Sequence, residues 1–431
     1  MDPIYVEDGI ADSVNTIGCL RWAVAMAALT PNSIIEIKPC LEITLHNQLI
    51  ISNHALLIIH GNGATIACSG QLESLLKFSL CEAEIHDLSF DGEYRDMHCI
   101  TPFSSTLRFY RVSMFDFSSK TRVIQGGAIH ADQSKLLLES TTIHHCTGFV
   151  GGGIFSTGGS LVVNKSVIHN CKAAGGGAIF TVGCAFSIVG SIMHSNVTDQ
   201  RGGCLVFESN SGGAITGSLI HHNCVTGMES GPPLKGGGGI YVLNSHLSIY
   251  NSTIANNVCK SIGAGIHALL TGVSGSLTIF SSTIANNTNT TMAYGGGGIY
   301  ADGVVPTITN TLIAANNSAG ASHLSPDFIC AINGNQVPVR SGGGNVVGVG
   351  ANGFNQPKDR IGTFASPLNP GITPLANNGG LMMTIALTST SIAINNGLNK
   401  FIPPYMTYDQ RGAPFNRING SAVDTGAFEY N

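Results

Sequence analysis

Between residues 126 and 320 the chain is built from short apolar runs in which alternate positions are polar, and no stretch there has a helical period. Leu136-x-Leu138, Leu161-x-Val163, Leu247-x-Ile249 and Leu277-x-Ile279 show the alternation, which puts the apolar side chains on one face of a strand. One pattern, Gly-Gly-x-Ile with small variations, recurs with its fourth position at Ile129, Ile154, Ile179, Leu205, Ile240, Ile266 and Ile299. A second, Ser/Thr-x-Ile-x-x-Asn/Cys, places its apolar position at Ile143, Ile168, Met193, Ile220, Ile254, Ile284 and Ile313. Five residues before each of these stands another apolar residue: Leu138, Val163, Ile188, Ile215, Ile249, Ile279 and Ile308. The internal offset is constant while the repeat itself stretches from 25 to 35 residues, as expected of strands joined by turns that tolerate insertions.

Each unit reads as three short strands. A unit of that size cannot bury its inner face alone, but stacked units can. The pattern therefore predicts an all-β fold, a parallel β-helix with strands about 4.8 Å apart along its axis. The crossover rule makes it right-handed. A propeller needs about 40 residues per blade and antiparallel hairpins, so it is excluded. Apolar runs between residues 34 and 118 extend the coil upstream, and Ala- and Leu-rich residues 19–29 form the one strong helix candidate. The expected organisation is an N-terminal cap with a helix (1–33), β-helix rungs (34–320), then last strands and an irregular C-terminal cap (321–431).

The second pattern ends in a column: Cys146, Cys171, Asn196, Asn223, Asn257, Asn287 and Asn316. Stacked amides at one turn bond along the column, so this is read as a structural ladder. Composition narrows the function. Only 10% of the 431 residues are charged and the net charge is −5, which gives no basic footprint for nucleic acid. No apolar run approaches the roughly 20 residues of a membrane helix. The first residues, Met1-Asp2-Pro3-Ile4-Tyr5-Val6-Glu7-Asp8, have no basic start and no apolar run, so no signal peptide is visible in this stretch. The twelve cysteines show no zinc-site spacing and read mainly as small buried residues, with some bridging as the alternative.

Gly-Gly-Ala-Ile followed by Ile-x-x-Asn resembles the repeats of polymorphic outer-membrane autotransporter proteins, with Ile or Met where that family has Phe. A fuller resemblance is to bacterial secreted β-helix proteins of the choice-of-anchor type. It is carried by Gly18-Cys19-Leu20-Arg21-Trp22-Ala23-Val24, Pro374-Leu375-Ala376-Asn377-Asn378-Gly379-Gly380, Ser391-Ile392-Ala393-Ile394, Asp409-Gln410-Arg411-Gly412 and Val423-Asp424-Thr425-Gly426-Ala427-Phe428-Glu429-Tyr430. The resemblance implies a right-handed β-helix on an exported, extracellular or cell-surface protein, and it implies no reaction.

Right-handed β-helices include polysaccharide lyases and glycoside hydrolases, whose sites need clustered carboxylates. Between residues 140 and 301 the acids are Asp199, Glu208 and Glu229, which form no column. The candidate catalytic cluster is Asp87, Asp91 and Asp96, near Glu93, Arg95 and His98. Outward histidines recur at His144, His169, His194 and His221, with Ala255, Ala285 and Ala314 in the next three units. They are the candidate ligand-binding residues, since neutral imidazole ligates transition metals, although duplication alone produces such a column. The period stretches at 228–235, 270–275 and 289–293, where binding loops are expected. The leading expectation is a non-catalytic exported protein with a surface, adhesive or self-assembling role, needing no metal or cofactor. Its possible partners are other copies of itself and a host or cell-surface glycan or protein, without nucleic acid or a membrane span. The alternative is a lyase or hydrolase acting on an acidic glycan.

Overall fold

The computed structural model describes residues 2–118, 125–227, 236–272, 274–290, 296–319, 326–332, 335–350 and 352–431. The fold is a right-handed parallel β-helix of about eleven turns. Two compact units, Met1–Phe186 and Ser187–Asn431, divide the chain.

In the first unit, identical positions of successive turns sit side by side. Leu107 pairs with Leu136 and then Leu161, Phe109 with Leu138 and then Val163, and Met114 with Ile143 and then Ile168. All are buried to within 2%, so each column is a stack of inward side chains. The runs upstream of residue 118 form further turns: Leu57–Cys68 pairs with Ser33–Ile37, Glu42–Leu45 and Glu82–Asp91. The helix spans Leu20–Ala27, a shorter element than the composition suggested. Its face of Leu20, Ala23, Val24 and Ala27 is buried. Its last carbonyls are partly satisfied from the coil, because His54 Nε2 and Ser33 Oγ both bond Ala27 O.

In the second unit the same rule holds. Leu205, Ile240, Ile266, Ile299 and Phe328 form one column, and Ile220, Ile254, Ile284, Ile313 and Val347 another. Here each turn has a fourth strand that the sequence did not reveal. Cys224–Val225, Val258–Cys259, Thr288–Asn289 and Asn317–Ser318 pair in order after Val197–Arg201. Two residues are too few to display an alternation.

The turn before that fourth strand holds a left-handed residue, with φ of 53° at His222, 56° at Asn256, 59° at Asn286 and 59° at Ala315. The residue that follows is the ladder asparagine. Asn196 Nδ2 donates to Asn223 Oδ1 at 3.0 Å, and Asn223 to Asn257, Asn257 to Asn287 and Asn287 to Asn316 at 2.9 Å each. Each acceptor oxygen also takes the backbone N–H of the preceding asparagine. The column ends in Asp327, whose Oδ1 accepts both Asn316 N–H groups and whose Oδ2 accepts Val349 N–H. A second column, Ser191, Ser218, Ser252 and Ser282, links backbone N–H to the next hydroxyl. Further along, Asn345 likewise ends on Asp359.

The tail contains the last strands Arg340–Gly343, Val346–Val347 and Arg360–Ile361. The antiparallel hairpin Ile372–Ala376/Thr384–Leu387 then returns over the outer face of the coil. Ile385 packs on Ala255 and Ala285, and Leu387, Ala393 and Phe428 pack with Leu312, Ala314 and Val346. The strap is anchored by Gln410, which donates to Ser218 O at 2.9 Å and accepts from Thr253 Oγ1, and by Ala427 N–H on Thr283 Oγ1. Its own core is a charged network: Arg411 chelates Asp409 and lies between Phe415 and Phe428 at 3.8 and 3.9 Å. Arg417, 1% exposed, donates to the carbonyls of Asp424 and Gly426. The outward column is alanine at Ala255 and Ala285, where Ile385 of the strap packs directly on it and leaves no room for an imidazole.

Two outcomes follow. Asn257→Ala leaves two buried N–H groups of Asn223 without an acceptor, and chemical denaturation should show a loss of about 1–3 kcal/mol. Ala285→His overfills the strap interface and should cost about 1–3 kcal/mol, with hydrogen exchange accelerating in residues 372–431.

Candidate functional site

The acidic candidates are largely consumed by local structure. Asp87 chelates Arg111 at 2.6 and 2.7 Å on the surface, and that hydrogen-bonded guanidinium holds its carboxyl below the usual carboxylate range. Asp91 Oδ1 accepts Glu93 N–H at 2.8 Å inside a turn. Glu93 is taken by Arg95 at 2.9 Å. Asp96 differs: both its carboxylate oxygens are buried and neither has a hydrogen-bond partner.

The histidines stack. In the first unit Phe115, His144 and His169 lie nearly parallel, with centroids 5.2 and 5.1 Å apart. In the second, His194 and His221 are 5.1 Å apart. His145 and His222 stand edge-on to their neighbours, with Nδ1–Nδ1 separations of 2.8 and 2.7 Å. In each such pair one Nδ1 donates and the other accepts. Burial lowers the pKa of His144 and His194, and that of His221 to about 3. His221 lines an open cavity of about 330 Å³ together with Leu381, Met382 and Met383 of the returning tail. Among the described residues no three His, Cys, Asp or Glu side chains are placed to hold a metal ion. None of the twelve cysteines is in a disulfide, Cys146 and Cys171 included, and burial pushes the Cys146 thiol well up. The stretched joins 228–235, 270–275 and 289–293 lie wholly or partly outside the described residues. Among the described residues no helix is long and apolar enough to cross a membrane.

A further constellation was missed in the sequence. In the second unit, the positions after the inward column Leu205, Ile240, Ile266 and Ile299 are Val206, Tyr241, His267 and Tyr300, in register on the outer face. Tyr241 and His267 meet edge to face at 4.9 Å, and His267 and Tyr300 at 5.6 Å. Although outward, Tyr241 and His267 are 0% exposed. The Tyr241 hydroxyl and both His267 ring nitrogens have no hydrogen-bond partner. Native proteins leave few such groups, and each calls for an explanation. The Arg201 guanidinium lies 5.7 Å from the Tyr241 ring centre, and its Nε is 2.9 Å from Glu208 Oε1. Burial raises the Glu208 carboxyl, with Arg201 opposing it. Burial also pushes His267 down to about 3 and Tyr241 up to about 12, so both are neutral near pH 7. Gly236 is required here, because a Cβ on it would come within 2.6 Å of His267 Nδ1. The signal available in the sequence was three consecutive polar aromatics at one outward position. It was masked because outward positions of a solenoid read as surface.

The described family model "right handed beta helix region" matches residues 119–313. No curated protein matches the chain. Among solved structures, the chain is similar to the pectate lyase Pel9A, at 15% identity and a TM-score of 0.47, covering 100% of this chain and 98% of that one. It is also similar to the A-module of the Azotobacter vinelandii mannuronan C-5 epimerase AlgE6, at 13% identity and a TM-score of 0.40, covering 76% of this chain and 96% of that one.

The His267 ring gives a pH signature. Its folded pKa, about 3, lies below the ordinary 6.5, so the unfolded chain binds the extra proton. The stability held by the neutral ring is present above pH 6.5 and is lost as pH falls toward 3. His98 and His221 carry the same sign, while Asp327 and Glu429, pushed up to about 6 and 7, carry the opposite one. Melting His267→Phe beside the parent from pH 7.5 to 4 isolates the ring. The variant should be more stable by about 1 kcal/mol at pH 7.5 and should lose less on acidification.

Proposed function

We propose that this protein acts on an acidic glycan at the outer face formed by Arg201, Glu208, Tyr241 and His267. The observation that carries the reading is the buried phenol and imidazole with no partner of their own. A neutral imidazole offers one donor and one acceptor, and a phenol offers both, which suits sugar hydroxyl and ether oxygens. A guanidinium pairs well with a carboxylate, and Arg201 is the cation at this site.

The chemistry that fits is elimination rather than hydrolysis. Hydrolysis uses two carboxyl groups about 5–9.5 Å apart, and Glu208 is the one carboxylate placed here among the described residues. In a uronate, pairing the carboxylate with Arg201 acidifies the adjacent C–H. His267 takes that proton, the C–O bond to the neighbouring sugar breaks, Tyr241 protonates the departing oxygen, and a carbon–carbon double bond forms. Both groups are covered in this conformation, so turnover includes a local opening. The second reading is the surface or self-assembling role, favoured by the regular Phe115–His144–His169 stack on the outer face of the first unit.

A panel of polyuronates assayed for the ultraviolet absorbance of unsaturated products tests the proposal. Tyr241→Phe should lower turnover by about 10²–10⁴-fold while its melting temperature stays level or rises. Absence of both product and binding across the panel would overturn the reading.

A further inference from the structure

We propose that the first unit binds a divalent hard cation, with calcium as the best fit, through Asp96, Asp116 and Ser118. This inference is independent of the glycan site, whose residues all belong to the second unit.

The backbone fixes the three residues together. Asp96 and Ser118 are partners in a parallel bridge, locked by Ser118 N–H on Arg95 O at 3.0 Å and Met97 N–H on Ser118 O at 2.9 Å. Asp116 lies two residues before Ser118 in a left-handed conformation, φ 62°, and its carbonyl accepts Tyr94 N–H at 2.7 Å. Gly92 lets the two turns approach this closely, because a Cβ there would lie 2.5 Å from Asp116 O. Met97 and Phe117 are 0% exposed and point into the core. Asp96 and Ser118, the bridge partners beside them, then lie on the opposite side, and the left-handed turn at Asp116 stands directly before Phe117 and Ser118.

The three side chains are incompletely satisfied. Both oxygens of Asp96, Oδ1 of Asp116 and Oγ of Ser118 are buried without a hydrogen-bond partner, and Ser118 as a whole is 4% exposed. The Asp116 carboxylate accepts one hydrogen bond, from the Tyr94 phenol. The neighbouring cation, Arg95, points its Nε and Nη2 at Glu93, 3.0 and 2.9 Å away. Burying a carboxylate oxygen without a partner is strongly unfavourable, and a bound metal ion would satisfy the unpartnered oxygens of Asp96, Asp116 and Ser118 together. The donor set is all oxygen, with no imidazole or thiolate, which selects a hard cation. Calcium takes six to eight oxygens in flexible geometry, whereas magnesium demands a near-ideal octahedron. Backbone carbonyls and water supply the remainder. Two carboxylates and a hydroxyl form a smaller set than a protein-only cage, so the expected affinity is that of a stabilising rather than a sensing site.

The test compares the parent with Asp96→Asn and Asp116→Asn, in chelator and in millimolar calcium. Without calcium, each variant removes a buried carboxylate oxygen that has no partner and should melt at or above the parent. With calcium the order should invert, the parent gaining stability and the variants little. Terbium replaces calcium as a luminescent probe, and Tyr94 is placed to sensitise it. Emission should appear in the parent, fall on adding calcium, and require at least tenfold more terbium in Asp96→Asn. Tyr94→Phe should lose the emission yet keep calcium binding by calorimetry. If calcium leaves the melting order unchanged, or calorimetry detects no calcium binding to the parent, the proposal fails.

Discussion

Everything in the second unit depends on keeping a left-handed turn inside a buried edge of the coil. An ordinary L-residue is disfavoured in that conformation, and the backbone groups around it face no water. The amide column resolves both difficulties. Each asparagine oxygen takes two N–H groups from the turn before, and each Nδ2 donates forward as well as to strand carbonyls such as Met193 O and Ile220 O. With the turn fixed, the third strand is held in register with its copies, and the inward columns of isoleucine follow. An amide column cannot stop on an amide, because its final Nδ2 would have nothing ahead to receive it. Asp327 and Asp359 resolve this by offering acceptors alone.

The returning strap has a comparable logic. A β-helix exposes long regular faces, and the tail covers one of them with a hairpin and a charged knot made by Asp409, Arg411, Arg417 and Glu429. The buried charges are tolerable because carbonyls, carboxylates and two phenyl rings surround them. This gives a physical role to the segments 409–412 and 423–430, which carry the resemblance to secreted β-helix proteins. They hold the strap in place.

How far the sequence could be read follows from which interactions repeat. The columns through Leu138 and Val163, through Ile220 and Ile254, and through Asn257 and Asn287 recur at every turn, so their positions could be aligned without coordinates. Interactions that occur once could not. Asp327 is one acid among many until Asn316 is seen to donate to it. The change from His221 to Ala255 is visible in the sequence, but its cause, Ile385, lies 130 residues further along. Tyr241 and His267 occupy positions that local alternation labels as surface, and tertiary cover makes them interior. Asp96 was singled out for its acidic neighbours. What distinguishes it is instead its pairing with Ser118, which no local pattern records.

The direction of the amide column also bears on how such a chain lengthens. Every asparagine within it both receives from the preceding turn and gives to the following one, so any interior copy is interchangeable with any other. A duplicated turn inserted between Asn223 and Asn287 would find complementary groups on both sides. The same insertion beyond Asp327 would meet an acceptor with no donor of its own to pass on. Evolution by tandem duplication therefore has an open reading direction and a fixed terminus, and a single carboxylate marks the boundary between them.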